Sequence, residues 1–369
     1  MKTSLGATYP AAKTVRIPQK PSSMNAPKFS GFCMMIAACL PIYADERLPS
    51  SAGLAARYPG DTGIGKDPQV VQVEDFEQTD TATLASQWEA VKEQDSLSFT
   101  ADVPPGSGSK QSLLMDRQEG PGGSLYRRLK NKNGGFGYDR IFARYYVKFA
   151  EDCAELHHFG TCLGGHVPAT PWPSVKAGLR TDGAKSFWSG IEPFGKLWTW
   201  DFYTYWSEMR GSPPRGQTWG NSFIHNPELR VERGRWICVE QMIKMNTVGQ
   251  TDGEQALWID GKLVAHLGKG FPTGRWTLDK FEPGRGGDSV RWSDAKGDRE
   301  HSLVPEDGSP FEGFRWRAVP ELNVNYVWLY VYTERPEGHR IRVWYDDVVV
   351  ATDYIGPITP KNGSTSGKK

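Results

Sequence analysis

The feature that most constrains this chain is an alternation of apolar and polar residues at period two, recurring segment after segment between residues 70 and 353. That period lays apolar side chains on one face of a strand and polar ones on the other, the mark of half-buried β-structure. It is clear at 70–76, 96–103, 124–129, 141–149, 174–180, 202–207, 236–246, 256–259, 324–333, 340–345 and 348–353. Turn residues separate these segments: Asn133-Gly134-Gly135, Thr181-Asp182-Gly183, Thr251-Asp252-Gly253, Asp260-Gly261 and Pro336-Glu337-Gly338. Only 83–92 has a helical pattern, and it is short. The 41 Gly and 26 Pro supply the tight turns that many short strands need. Together these signals predict an all-β protein, a sandwich or jelly roll.

The alternation stops at both ends and once inside. Residues 45–68 are rich in Gly, Pro and Ser without a period and read as a linker, and 359–369 form a polar tail. Between them, 69–358 make one domain. Within it, 268–312 is rich in Gly, Asp, Arg and Pro and predicts a long loop, either over the mouth of a binding groove or unstructured.

The first 44 residues read as a processing signal and the segment before it. From Met24 a short basic lead, Asn25-Ala26-Pro27-Lys28, precedes an apolar run, Phe32 to Leu40, and then Ile42-Tyr43-Ala44. The run is too short to span a bilayer and has the flanks of a secretory signal peptide, with cleavage after Ala44. Ile36-Ala37-Ala38-Cys39 also fits a bacterial lipobox, which would leave Cys39 lipidated. The expected location is secreted or periplasmic, or lipid-anchored through Cys39. No later stretch is apolar enough for a membrane helix. An oxidising compartment permits a Cys153–Cys162 disulfide; three buried free thiols, Cys238 included, are the other outcome.

Lys and Arg number 44 against 43 Asp and Glu, so no net field gathers nucleic-acid phosphates, and nucleic acid is not an expected partner. Fourteen Trp leave some to spare for stacking on sugar faces, Trp188 among them. The chain has no Gly-rich phosphate loop, no Gly-x-Ser-x-Gly elbow and no His-Glu-x-x-His pair. A paired-carboxylate glycosidase site finds little support, because 236–246 offers only Glu240 on its polar face.

Three segments carry candidate chemistry. Residues 155–166 place His157, His158 and His166 in a Gly-rich turn; three His raise the question of zinc, but no acidic partner has ligand-like spacing. In 174–180 the alternation buries Val175, Ala177 and Leu179 and puts Lys176, Gly178 and Arg180 on the other face. In 201–206, Asp201, Tyr203 and Tyr205 share a face. Cations, phenols and imidazoles on one surface suit β-elimination from a uronic acid. A cation neutralises the C6 carboxylate, a base removes the C5 proton, and a Tyr protonates the departing O4. The partner implied is an acidic polysaccharide.

Ala143-Arg144-Tyr145-Tyr146-Val147-Lys148-Phe149, the Gly164-Gly165 pair, the run from Gly234 to Thr247, Asp252-Gly253 and Trp258-Ile259-Asp260-Gly261-Lys262 resemble the alginate-lyase-like family 14 of polysaccharide lyases. The likeness spans 120–265, and 344–358 is compatible with the same domain. It implies a concanavalin-like double-sheet jelly roll. Family members carry a Lys before the paired glycines, then Ser-x-Arg, then Tyr-x-Tyr. By resemblance Arg180 matches the Arg, and Tyr203 with Tyr205 matches the Tyr pair. Gly178 stands where the Ser is expected, and the Lys position falls near His157 or His158.

The expectation is a polysaccharide lyase with Arg180 as neutraliser, His157 or His158 as base or its partner, and Tyr205 or Tyr203 as acid. Lys176, Glu240, Lys244, His166 and Trp188 would line the groove, with a Lys244–Glu240 salt bridge as the other role for that pair. No cofactor is required, a structural calcium ion stays open, and a monomer is expected. The reading of a different class is a non-catalytic carbohydrate-binding protein on the same scaffold.

Overall fold

The computed structural model describes residues 52–361 except 119–120, 155, 157, 172–174, 176, 195–196, 212–216, 285–290, 294–299, 303–307 and 333–339; for 291–293 and 300–302 it describes backbone only. The signal-like segment and Cys39 lie outside it. In chain order the strands are β1 (Val70–Glu74), β2 (Ala90–Lys92), β3 (Leu97–Thr100), β4 (Ser112–Arg117), β5 (Pro121–Arg128), β6 (Arg140–Phe149), β7 (His158–His166), β8 (Ser186–Phe194) and β9 (Thr199–Tyr205). Then come β10 (Trp236–Lys244), β11 (Glu254–Ile259), β12 (Lys262–Leu267), β13 (Thr273–Thr277), β14 (Lys280–Pro283), β15 (Arg291–Ser293), β16 (Glu300–Ser302), β17 (Ser309–Pro310), β18 (Tyr326–Tyr332) and β19 (Ile341–Ala351).

Two antiparallel sheets carry the fold. The larger runs β12-β11-β10-β6-β19-β4-β3, with β1 pairing β19 beyond the end of β4; the smaller runs β2-β5-β18-β7-β8-β9. The chain repeatedly crosses between them, as in β4 to β5, β5 to β6 and β6 to β7, which is the connectivity of a double-sheet jelly roll. The alternating apolar residues meet in the middle. Phe159 of β7 stacks on Tyr345 of β19 at 5.7 Å and lies 4.7 Å from Phe149 of β6. A polar link crosses the same space: Ser189 donates to Gln255 at 2.9 Å, and Gln241 donates to the Ser189 hydroxyl at 3.1 Å.

The outer face of the larger sheet has its own core. Leu54, Ala55 and Ile64 from short 3-10 turns, with Tyr354 and Ile355, cover Phe142, Met242, Ala256 and Trp258. Each such fully buried large side chain is worth about 1.5–3 kcal/mol. The part of the linker-like stretch that is described therefore packs on the sheet; its Gly and Pro make tight turns instead of a loose tether.

Four other sequence expectations are corrected. Residues 83–92 are not a helix: a 3-10 turn, Thr81–Ser86, is capped by Asp80 and gives way to β2, where Val91 pairs with Leu125. Residues 174–180 are not a strand where described, because Gly178 turns the chain at φ +80° and leaves Leu179 57% exposed. The Gly-rich turn expected at 155–166 is instead β7, an interior strand between β18 and β8. Its Gly164 is there because a Cβ would meet the Tyr326 hydroxyl and the Phe187 carbonyl. The long loop at 268–312 contains a small sheet, β14-β13-β17, and the β15-β16 ribbon; Phe281 and Phe311, packed with Phe314 just beyond it, join the segment to the main core.

Cys153, Cys162 and Cys238 are buried free thiols, so the Cys153–Cys162 disulfide does not form. Among the described residues no helix is long and apolar enough to cross a membrane, and no group of three or more His, Cys, Asp or Glu is arranged to hold a metal ion.

Candidate active site

Strand register decides what the outer face of the smaller sheet presents. Because Phe159 and Leu163 of β7 point into the space between the sheets, His158 and Cys162 lie on the opposite face, where Cys162 is itself buried. Tyr332 and Trp328 lie directly opposite them on β18, and Gly190 pairs with Cys162 on β8. The next pairing aligns Trp188 with Tyr205, Gly190 with Tyr203 and Glu192 with Asp201. Residues more than 40 positions apart in the chain thus share one surface.

His158 is the polar centre. Its Nδ1 lies 2.7 Å from Glu192 Oε1, its ring is 5.0 Å from that of Tyr203, and it stacks on Tyr332 at 5.9 Å. The Tyr203 and Tyr205 hydroxyls are 3.3 Å apart. Trp188 stacks on Tyr205 at 5.6 Å and meets Tyr203 edge-on at 5.7 Å. Trp328 and Tyr330 extend the aromatic floor, stacked at 4.4 Å.

The electrostatics follow from burial. Desolvation pushes the Tyr203 and Tyr205 phenols above their ordinary value, so both are protonated at neutral pH. The Gly220 amide faces both hydroxyls, and the Gly178 amide faces that of Tyr205, each favouring the phenolate and partly offsetting that rise. Burial likewise raises Glu192, while His158 beside it pulls the other way. Asp201, on the same face, is engaged by the backbone: it accepts from Phe202, Phe223, Ile224 and His225 at 2.7–3.0 Å. It fastens residues 223–225 to β9.

No protein-family model matches the chain. A comparison with curated proteins finds no match. Among solved structures the chain is similar to polysaccharide lyases. The alginate lyase of family 14 from Aplysia kurodai has TM-score 0.46 and 13% identity, covering 77% of this chain and 99% of that one. The alginate lyase from Chlorella virus has TM-score 0.45 and 13% identity, covering 77% and 100%. The endo-β-1,4-glucuronan lyase from Trichoderma reesei has TM-score 0.40 and 15% identity, covering 77% and 95%.

Of the residues singled out from sequence, His158, Tyr203, Tyr205 and Trp188 come together. Arg180 is exposed, two residues beyond Gly178. His157 and Lys176 lie outside the described residues. His166 is at the other end of β7, where Nδ1 lies 2.7 Å from the Pro168 carbonyl. Glu240 and Lys244 are on the other sheet. Glu240 is buried on its outer face, accepting from the Ile355 and Gly356 amides at 2.7 and 2.8 Å. Lys244 pairs with Glu254 at 2.7 Å, not with Glu240. Neither lines the groove, because the even-numbered residues of β10 face away from the smaller sheet.

Sequence reasoning missed Glu192, Tyr332 and the two glycine amides. The signal for Glu192 was present as Trp188-x-Gly190-x-Glu192, a period-two face. It was overlooked because one face carries a Trp and a Gly and the other a Ser, which blurs the polar contrast.

Proposed function

We propose that the protein is a polysaccharide lyase that cleaves a uronate-containing glycan by β-elimination on the outer face of the smaller sheet. One observation carries the reading: a carboxylate-held imidazole and a protonated phenol pair stand side by side on that face, Glu192–His158 next to Tyr203–Tyr205. With Nδ1–H donating to Glu192, the basic lone pair of His158 is on Nε2. Nε2 takes the C5 proton, the C4–O4 bond breaks, and a C4–C5 double bond forms. The departing oxygen takes its proton from Tyr205, which Tyr203 can replenish. The raised phenol values support the acid role, since the group must enter the step protonated.

Arg180 is assigned to the C6 carboxylate. Its place two residues past Gly178, whose amide faces Tyr205, supports that role. Trp328, half-buried on that face, offers a ring edge to sugars, whereas Trp188 is buried against Tyr203 and Tyr205 and supports them. No cofactor enters this scheme. The signal-like segment supports action outside the cytoplasm, secreted or periplasmic.

The test is ultraviolet absorbance of unsaturated uronate on alginate, glucuronan, ulvan and glycosaminoglycans. His158→Ala is expected to lower kcat by about 10²–10⁴-fold, the usual share of a general base, and Tyr205→Phe to abolish product. Binding without product across the panel would leave a carbohydrate-binding protein and end the lyase reading.

A further inference from the structure

Five large apolar side chains stand exposed among the described residues: Leu179, Trp219, Val248, Phe271 and Leu278. Two of them, Leu179 and Trp219, each follow directly on a residue of one backbone bridge, Gly178–Thr218. Gly178 and Thr218 form an antiparallel bridge, with the Thr218 amide donating to the Gly178 carbonyl at 3.2 Å. A Cβ on Gly178 would meet the edge of the Trp219 ring at 3.6 Å, an ordinary contact, so the indole lies along that backbone. The residue after Trp219 is pressed to the site: a Cβ on Gly220 would come within 2.6 Å of the Tyr203 ring. The glycines that flank Trp219 are therefore those whose amides face the tyrosine hydroxyls.

The backbone just past Trp219 is tied down by Asn221. Thr204 and Asn221 exchange two backbone hydrogen bonds at 2.9 Å. The Asn221 side chain accepts from Trp206 Nε1 at 3.2 Å and from the Arg210 amide at 2.8 Å, and donates to the Arg210 carbonyl at 2.9 Å. Thr218, Gly220 and Asn221 are buried, yet Trp219 is 41% exposed. An indole carried on this frame and left exposed next to the phenol pair is a surface for an apolar ring face.

We infer that Trp219 forms the stacking platform for the leaving sugar, the pyranose whose departing oxygen Tyr205 protonates. The inference rests on the lyase reading for the name of that sugar. Its chemistry follows from the platform. An indole face takes a pyranose with mainly equatorial hydroxyls, whose axial C–H bonds make one side apolar, and a neutral one fits better because no carboxylate then loses water against the platform. The substrate class is a glycan in which uronate alternates with such a neutral sugar, not a uniform polyuronate.

The experiment uses the full chain in the Tyr205→Phe background, so that binding is measured without cleavage. Calorimetry compares tetrasaccharides of glucuronan with those of an alternating uronate–neutral-sugar glycan. Trp219→Ala is expected to weaken the alternating ligand about tenfold, the scale of one lost ring contact, and Trp219→Phe to restore most of it. Val248→Ala, equally exposed elsewhere, should change nothing. In the active protein Trp219→Ala should raise KM more than it lowers kcat. Unchanged affinity and KM in Trp219→Ala would overturn the platform even if unsaturated product forms. Trp219-dependent binding with no product from any glycan would instead overturn the lyase reading and leave the platform standing. Tighter binding of glucuronan than of the alternating ligand would overturn the substrate class.

Discussion

At the scale of single residues, the state of His158 is set by what holds it. Its Nδ1 contact with Glu192 orients the ring and stabilises the imidazolium, because the carboxylate is buried where its charge is poorly screened. Glu192→Gln keeps the shape and removes the charge. The imidazole should then lose its proton more readily, because the negative charge facing it is gone. The acid limb of the rate profile moves to lower pH, and the plateau falls because the base is weaker. A profile unmoved by the substitution would show that Glu192 has no part in the chemistry. Tyr203 and Tyr205 were legible from sequence as a same-face pair, since i and i+2 of any strand share a face. Glu192 was not, because its distance from His158 in space is decided by the β7–β8 pairing.

At the scale of elements, β7 shows how a strand can read as a turn. Gly160, Gly164 and Gly165 suggest chain reversal by composition. In the sheet they are spaces that neighbouring side chains and backbone fill. Gly164→Ala would put a Cβ 2.3 Å from the Tyr326 hydroxyl and 2.7 Å from the Phe187 carbonyl oxygen. The carbonyl belongs to the adjacent strand and cannot swing aside. Overpacking of this kind costs about 1–3 kcal/mol, so denaturant unfolding should show a lower midpoint with an unchanged slope. An unchanged midpoint would mean that β7 can shift without loss. The opposite error occurred at 174–180, where a clean alternation is overridden by Gly178 at positive φ and a bridge to Thr218.

For the whole molecule, the outer core of the larger sheet ties stability to pH. Burial raises Glu240 from the ordinary 4.5 to about 7, although the Ile355 and Gly356 amides and Arg144 favour its charge. Below pH 4.5 the group is protonated in folded and unfolded chains alike. Between there and 7 only the folded state keeps its proton, so stability falls as pH rises, by at most about 3 kcal/mol. Burial raises Asp346 and Asp347 as well, with the charge of Asp347 adding to the effect on Asp346, and both push the same way. Urea unfolding at pH 5 and pH 8 should find the protein weaker at the higher pH. Glu240→Gln should reduce that difference, leaving the share of Asp346 and Asp347; an identical difference in both proteins would remove Glu240 from the account.

The sequence by itself determined that the chain is built of half-buried strands. Period-two alternation is a local property, and it survives whatever the strands pair with. It also placed Tyr203 and Tyr205 on one face, for the same local reason. Only the tertiary structure decided which strands are neighbours, and hence that His158 and Glu192 meet while Glu240 and Lys244 lie on the other sheet. Pairing is set by how the sheets' faces pack across long stretches of chain, and no local period encodes it.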